Sequence, residues 1–430
     1  PQLTALLSYP TSILTQADVN ELAHHWQAAL QALTRHAATP GAGGLTPTDL
    51  PLLTTTQADI DTWEHTYPGL TDAWPLTPLQ SGLLFHALLA DGAYDAYHMQ
   101  MAFHLTGPVD PHRMHTAGQA LLDRHPNLRA AFAPNTTGDL VQLISGRVEL
   151  PWQFLDLRHL HDEERDQALE NFLTEDRTTH FAPDRPPLLR LALIRLTDER
   201  SELVLTAHHV LLDGWSLPLL LNDLLRLYTT NGDTTPLPRP PAYRDHLTYL
   251  THRDHKAATH AWTQELEGLK QPTLLAPYAE PSAAADTGLG QLGIEVPDAR
   301  AVARCAAELG ITLNTLVQGA WAILLSALTG QNDIVFGATV SGRPADLPDA
   351  DHMIGLFINT LPVRVDCTPA QTPADLLTTL QSRQAALLDH HHYPLTAIQQ
   401  NTGHNTPLFD TLIAFESYPI DRTSLTDTTT

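Results

Sequence analysis

The sequence predicts an α/β fold arranged as two lobes, and three features of its 430 residues support this prediction. Segments of alternating apolar residues, typical of strands, are interspersed with segments of helical periodicity in both halves of the chain. A proline-rich stretch at 236–241 separates the two halves and is the clearest candidate boundary. With 43% hydrophobic residues, the chain can bury a sizeable core.

The first half alternates between the two periodicities. Apolar residues at helical spacing predict helices at 17–36, 57–64, 79–89, 114–125 and 216–228. Alternating apolar residues predict strands at 97–105, 130–133, 140–144, 188–196 and 202–208. Residues 39–51, rich in Gly, Pro and Thr, predict a linker after the first helix.

The second half repeats the mixed pattern after the proline-rich stretch. Helical spacing predicts helices at 243–269, 299–309, 312–328 and 373–388. Alternation predicts strands at 293–296, 334–340, 357–365 and 409–415. A low-complexity loop is expected at 277–289.

The charge balance excludes one large class of partner. The chain has 24 Lys and Arg against 48 Asp and Glu, a formal net charge of −24. Phosphate-backbone binding requires clustered basic side chains, so we expect no nucleic-acid partner. Two isolated cysteines, Cys305 and Cys367, predict neither a disulfide framework nor a cysteine-based zinc site.

The sequence also predicts a soluble, cytoplasmic protein with no membrane partner. It has no basic-then-apolar signal at the N-terminus and no apolar run long enough to span a bilayer. The run of histidines at 390–392 has no acidic or cysteine partner at ligand spacing. We interpret this run as a polar helix end and predict no metal site.

The candidate chemistry lies in residues 207–216, where an apolar strand runs into His208 and His209. Asp213 and Gly214 follow after a three-residue gap, and a helix begins at Ser216. A histidine at the end of a sheet can take a proton as an amine or hydroxyl attacks an acyl group, which contributes roughly 10²–10⁴ in rate. The alternative is a buried histidine pair that closes a strand.

The two residues after the gap have several possible roles. Asp213 could pair with an arginine and hold the loop, or it could orient the imidazole. Gly214 would permit an unusual backbone conformation or the close approach of a ligand.

Seven further segments accompany the histidine motif in a fixed order. They are 74–86, 124–129, 243–245, 334–344, 353–362, 391–395 and 409–412. Together with the motif, they resemble the signatures of the condensation domains of nonribosomal peptide synthetases. The resemblance covers residues 70–419 and is specific in combination.

The resemblance implies a fold like chloramphenicol acetyltransferase. Each of two lobes would be a mixed sheet flanked by helices, and the lobes would form a V with an active-site tunnel between them. His209 would be the catalytic histidine and His208 a neighbour with a mainly structural role. It remains open whether His209 acts as a general base or positions the amine.

The same resemblance assigns the remaining site residues. Asp213 would form a salt bridge to Arg343 across the lobes, so that its role is architecture. Gly214 and Trp215 would line the tunnel near the acyl centre, and Ser341 would face them from the second lobe.

The implied reaction is amide formation between a peptidyl thioester and the amine of an aminoacyl thioester. Both substrates would arrive on phosphopantetheine arms of upstream donor and downstream acceptor carrier proteins, with no cofactor bound permanently. Adenylation and epimerization domains would be neighbours. The product would be a secondary metabolite such as an antibiotic or siderophore.

The first signature resembles the subtype whose donor ends in a D-residue. Residues 1–36 resemble the end of an upstream epimerization domain, and 37–69 a linker with a lead-in helix. We expect the first lobe at 70–235 and the second at 236–430. The second lobe is expected to be incomplete, because a Thr- and Asp-rich tail follows 417–419.

Three alternatives remain. An epimerization domain shares the histidine motif but needs a catalytic glutamate and a different continuation after Gly214. A non-catalytic recruitment module of the same fold would lose the active-site pattern. A stand-alone acyltransferase would make an ester with a soluble acceptor. A heterocyclization domain is excluded, because it replaces the histidines with an aspartate pattern.

Overall fold

A computed structural model describes residues 4–39, 43–89, 97–276, 290, 292–403 and 407–416. The chain divides into two units, Pro1–Pro68 and Gly69–Thr430, which we describe separately. The loop expected at 277–289 and the segment after residue 416 lie outside the described residues, as do residues 40–42 of the predicted linker.

The first unit holds two helices, α1 (Gln16–Ala37) and α2 (Gln57–Thr66). Each begins with a capping box, in which a threonine and an aspartate three residues later bond to each other's backbone N–H. The helix expected at 17–36 is confirmed as α1. Its apolar stripe is mostly exposed, since 47% of Trp26 is accessible.

The described part of the second unit contains ten strands and ten α-helices. The strands are β1 (Leu70–Pro75), β2 (His98–Thr106), β3 (Ala130–Pro134), β4 (Leu140–Ser145), β5 (Trp152–Asp156), β6 (Leu189–Arg195), β7 (Arg200–His208), β8 (Asp333–Val340), β9 (Asn359–Asp366) and β10 (Leu412–Ile413). The helices are α3 (Pro78–Leu89), α4 (Pro111–Arg124), α5 (Asp162–Thr178), α6 (Ser216–Thr229), α7 (Tyr243–Thr251), α8 (His255–Glu265), α9 (Ala299–Glu308), α10 (Leu313–Thr329), α11 (Pro373–Leu387) and α12 (Leu395–Asn401).

The strands form three sheets, with the orders β1-β4-β3, β2-β7-β6-β5 and β10-β8-β9. The second sheet is mixed, because β5 is parallel to β6 whereas the other pairs are antiparallel. The third is also mixed, because β10 is parallel and β9 antiparallel to β8. We call the part with the first two sheets the first lobe and the part with the third the second lobe. The predicted α/β class is confirmed.

Strand β7 is the central support of the first lobe. From Ser201 to His208 every residue is buried, which explains the near-continuous apolar run in this part of the sequence. Val204 packs with Phe172 of α5 on one face. The register pairs His208 with His98 of β2, so the strand ends with its histidine beside a second strand.

The sheet of the second lobe is covered on both faces. On one face Phe336, fully buried, lies in a cluster with residues of α10 and α11. On the other face Val335 and Leu361 pack with Trp262 of α8. This packing holds the end of β8 and the start of β9 in place. Residues 341–358 connect these two points, and this connection contains Arg343 and contacts the first lobe.

Several predicted elements differ from the structure. The helix expected at 243–269 is two helices, because Asp254 caps a new start at α8. The strand expected at 293–296 is not formed, and 77% of Ile294 is exposed with no strand beside it among the described residues. The final strand is shorter than predicted and comprises only β10.

The described residues contain neither a single membrane-spanning helix nor a metal cluster. No single helix there is long and apolar enough to cross a bilayer, and only α9 and α10 together, bent by 100° at their junction, meet the length and composition test. No group of three or more His, Cys, Asp or Glu in these residues could hold a metal ion. Burial lowers the pKa of His391 and of His392 to about 4, so both are neutral at pH 7.

Candidate active site

His208 is held in place by both its backbone and its ring. It is the last residue of β7, it is fully buried, and its backbone N–H donates to the Leu188 carbonyl at 2.9 Å. Its Nδ1 accepts the N–H of Val210 at 3.0 Å. The ring therefore helps to fold the loop that follows the strand.

His209 is the first residue beyond β7, and its backbone N–H donates to the Tyr97 carbonyl at 2.8 Å. Burial of the ring lowers the pKa of His209 below its usual 6.5, and the nearby charge of Asp213 offsets only part of this effect. The imidazole is therefore neutral at pH 7. A neutral, positioned imidazole is able to accept a proton from a substrate.

Asp213 is a fully buried carboxylate whose two oxygens are both occupied. Oδ1 accepts from Arg343 Nη2 at 3.1 Å and from the Ser216 backbone N–H at 2.9 Å. Oδ2 accepts from the Phe357 N–H at 3.0 Å. The bonds from Arg343 and Phe357 join the loop to the second lobe, the bond from Ser216 holds the start of α6, and none of the three goes to an imidazole.

Arg343 reaches into the first lobe from the loop after β8. Its side chain is 6% exposed. Nη1 donates to the carbonyls of Ala350 and Met353, and Nη2 donates to Ser216 Oγ at 2.9 Å. The guanidinium also lies over the Phe357 ring, 3.9 Å from its centre. This one side chain organises the 350–357 segment around the carboxylate.

Ser216 connects the Asp213 loop to the second lobe through its hydroxyl, which the sequence did not predict. The N-cap of α6 is Trp215, and Ser216 is the first helical residue. Ser216 Oγ lies 2.8 Å from Asp213 Oδ1 and accepts the Gly355 N–H at 3.0 Å. The N-cap residue Trp215 makes no side-chain hydrogen bond to the helix. The buried Asp213 carboxylate accepts the first N–H of α6, and the positive end of the helix dipole stabilises its charge.

Two predicted tunnel residues lie close to Arg343. Trp215 donates its Nε1 hydrogen to the Asp351 carbonyl at 3.0 Å, a second link between the lobes. Ser341 is exposed, and its Oγ accepts the Arg343 backbone N–H at 3.3 Å. Gly214 is half-buried and does not have a positive φ, so a left-handed backbone does not explain the glycine.

Gln80 supports the histidine loop from α3. Its Nε2 donates to the Val210 carbonyl at 3.0 Å, directly after His209. Gln142 pairs with it reciprocally, and both side chains are almost fully buried. Gln80 lies within the first signature of the sequence, whereas Gln142 belongs to no motif and only the fold brings it here.

Tyr243 supports the opposite side of the carboxylate. Its hydroxyl donates to the Leu356 carbonyl at 2.6 Å, and its ring lies against Gly355. A Cβ on Gly355 would be 2.2 Å from that ring, so only glycine fits. The short motif at 243–245 therefore holds the segment that donates to Asp213.

Comparison with known proteins adds to this geometry. A family model described as the condensation domain matches residues 71–430. The chain is 35% identical to one of the proteins of linear gramicidin synthase from Brevibacillus parabrevis, over 97% of this chain and 6% of that protein. It is 34% identical to vanchrobactin synthetase from Vibrio anguillarum, over 86% of this chain and 13% of that protein. It therefore spans only a small part of these relatives.

Among solved structures, the chain is similar to the first condensation domain of the calcium-dependent antibiotic synthetase. The two share 21% identity, with a TM-score of 0.62 over 80% of each chain. This likeness supports the same fold.

Replacement of the buried carboxylate tests the link between the lobes. Asp213→Asn removes the charge that Arg343 Nη2 contacts at 3.1 Å and leaves a buried guanidinium without its counter-ion. We expect the free energy of unfolding to fall by about 3–5 kcal/mol, measured by urea denaturation. Asp198→Asn, which breaks an exposed pair with Arg158, is the control and should change little. Equal effects of the two variants would contradict this account.

Gly342→Ala tests a close approach beside the same contact. Gly342 has a φ of +61°, and a Cβ there would lie 1.8 Å from the Phe357 carbonyl oxygen. Gly310 has a φ of +67° with no atom near a Cβ, so Gly310→Ala isolates the cost of the backbone conformation. We expect Gly342→Ala to lower the thermal midpoint well beyond Gly310→Ala. Equal thermal midpoints of the two variants would contradict this prediction, because they would show that the structure accommodates the Cβ at position 342 without loss of stability.

Proposed function

This chain belongs to the condensation-domain family, and on that premise we propose that it forms amide bonds by aminolysis of carrier-bound thioesters. The observation that carries the proposal is the environment of His209, a half-buried imidazole directly after β7 whose pKa is lowered by burial. The Asp213–Arg343 contact holds the loop that follows it.

In the proposed reaction, the α-amine of an aminoacyl thioester attacks the carbonyl carbon of a peptidyl thioester. His209 takes a proton from the attacking amine as the C–N bond forms. The C–S bond then breaks, and the donor arm leaves as a thiolate. His209 gives its proton to this thiolate, which becomes a free thiol. The imidazole ends the cycle neutral, and no redox partner or metal is required.

The proposed partners follow from this reaction. The two thioesters would arrive on phosphopantetheine arms of an upstream donor and a downstream acceptor carrier protein, with no cofactor bound permanently. Adenylation and epimerization domains would be neighbours. The relatives named above are synthases and synthetases much longer than this chain, which leaves room for further domains, and residues 1–36 resemble the end of an epimerization domain. We propose residues 70–235 and 236–430 as the two lobes, and Gly214, Trp215 and Ser341 as lining of the tunnel between them.

A cytoplasmic location is part of the same proposal. Both cysteines are free thiols, as is usual in a reducing compartment.

The proposed donor ends in a D-residue, since the segment at 74–86 resembles the signature of that subtype.

The catalytic assignment predicts a large loss in His209→Ala. The donor and acceptor carrier proteins are loaded separately, and the product is measured by mass spectrometry. We expect the rate of product formation to fall by roughly 10²–10⁴. His159→Ala, which removes an exposed histidine, is the control. Because burial lowers the pKa of His209 and only the neutral ring accepts a proton, the acid limb of kcat/KM should lie below pH 6.5. Equal product from His209→Ala and the unmodified chain would overturn the assignment.

The donor subtype predicts a preference between two otherwise identical substrates. Donor carriers loaded with peptides ending in a D- or an L-residue would be compared at equal loading. We expect the D-terminal donor to react faster by roughly tenfold or more, which corresponds to about 1.4 kcal/mol or more. Faster condensation of the L-terminal donor would contradict the subtype and leave the role of His209 intact.

A further inference from the structure

A row of polar side chains crosses three strands of the first lobe, one turn of the pleat before the histidine loop. The strand register places Gln100 of β2 and Arg190 of β6 on either side of Thr206 in β7. Thr206 lies two residues before His208, so the two side chains share one face of the sheet. Helix α5 packs on this face and adds Asp176 to the row.

Asp176 is the acceptor at the centre of the row. Its Oδ1 accepts from Arg190 Nε at 2.5 Å, and its Oδ2 accepts from Thr206 Oγ1 at 2.5 Å and from Gln100 Nε2 at 2.7 Å. Burial opposes the charged form of Asp176, but the bonds from its three partners outweigh this effect and keep the pKa of its carboxyl below the usual value. We call these four residues the Asp176 network.

Arg190 extends the network to His98 at the start of β2. Its Nη2 donates to His98 Nε2 at 3.3 Å, to the Thr179 carbonyl at 3.0 Å and to the Asp176 carbonyl. The guanidinium carbon lies 4.6 Å from the centre of the Phe181 ring, which in turn lies 4.9 Å from the centre of the His98 ring. Because an arginine can only donate, His98 accepts this bond and its ring is held from one side.

The start of β2 carries the contact that anchors His209. Tyr97 directly precedes His98, and its carbonyl accepts the His209 backbone N–H at 2.8 Å. Within the part of the chain that the structure describes, β2 is an end strand of its sheet and pairs only with β7. The contact between His98 and Arg190 therefore supports the first residues of β2 in addition to the strand pairing.

Loss of the Asp176 charge would release Arg190. The Arg190 side chain is only 16% exposed, and a guanidinium at such a position needs a counter-ion. A cavity of about 590 Å³ beside the pair gives the side chain room to move, and its lining includes Glu175, an exposed carboxylate. An Arg190 that turned towards Glu175 would no longer hold His98.

We propose that Asp176 and Arg190 are positioning residues, which set the place of the His209 ring through His98 and the Tyr97 carbonyl. The proposal rests on the proposed function only for the role of His209 in the reaction. The positioning itself rests on the hydrogen bonds from α5 through β6 to β2. A purely structural pair would affect stability alone, whereas a positioning pair must also change the surroundings of the His209 ring.

The pKa of His209 reports these surroundings and needs no substrate. It is measured by NMR titration of the chain labelled with ¹³C at histidine Cε1, and the resonance is assigned by its loss in His209→Ala. In Asp176→Asn we expect this pKa to rise towards 6.5 by roughly 0.5 or more, because a displaced ring gains water. Asp213 and His208, whose charges also act on it, are unaltered. An unchanged pKa would overturn the proposal.

Glu265→Gln is the matched control in the second lobe. Glu265 is a largely buried acid that contacts Arg383 at 2.7 Å. Both Asp176→Asn and Glu265→Gln should lower the thermal midpoint, because each deprives a partly buried guanidinium of its counter-ion. Only Asp176→Asn should raise the pKa of His209. An equal rise in the control would contradict the proposal, because it would show that any loss of stability moves the ring.

Two variants of His98 separate its bond to Arg190 from the packing of its ring, and they decide the question if Asp176→Asn does not fold. His98→Phe keeps a ring and removes the acceptor, whereas His98→Gln restores an acceptor. We expect the pKa of His209 to rise in His98→Phe and to stay near its original value in His98→Gln. The double variant with Asp176→Asn should rise no further than the larger single variant. Additive rises would contradict action through His98.

Condensation assays supply the second measurement. We expect kcat to fall by roughly 10–10² in Asp176→Asn with KM for the donor unchanged, because the ring is displaced while the proposed tunnel lining is intact. A raised pKa of His209 with unchanged kcat would contradict the proposed role of His209 and leave the positioning intact. Full activity in His209→Ala would likewise sink the proposed function alone, since the pKa still decides the positioning.

Discussion

The buried carboxylate of Asp213 is the constraint on which the rest of the site depends. An isolated charge at a fully buried position would be prohibitively costly, so it needs a counter-ion and hydrogen-bond donors. Arg343 supplies the charge, while backbone N–H groups from α6 and from Phe357 supply the rest. Because those donors come from both lobes, the carboxylate is satisfied only when the two lobes are in register.

The same low-polarity environment affects two neighbours in different ways. For Asp213 it makes a close partner obligatory, and for His209 it disfavours the charged form of the ring and so lowers its pKa. A histidine in water would be partly protonated near its pKa and would lose the lone pair that a base needs. Burial favours the neutral ring that carries this lone pair, and the bond from the His209 backbone N–H to the Tyr97 carbonyl fixes the backbone from which the ring projects.

The sequence was a good guide to the elements that carry the chemistry. The apolar run before His208 predicted β7, because a strand buried on both faces must be apolar throughout. The contact between Asp213 and Arg343 followed only from resemblance, since local periodicity carries no information about partners so far apart. Strand β5 and helix α5 were missed, because neither has a fully buried residue and α5 shows little apolar periodicity. Gln142 carries no local signal at all, and only the pairing of strands brings it to Gln80.

The order in which this chain is synthesised gives the Asp213 contact a further consequence. Arg343 comes 130 residues after Asp213, so a ribosome delivers the carboxylate long before its counter-ion. Lobes that fold as they emerge fold from the N-terminal side first. Until the later segment is in place, water must solvate the carboxylate. The first lobe therefore carries an unpaired carboxylate during synthesis, and that charge gains its counter-ion only when the second lobe folds against the loop.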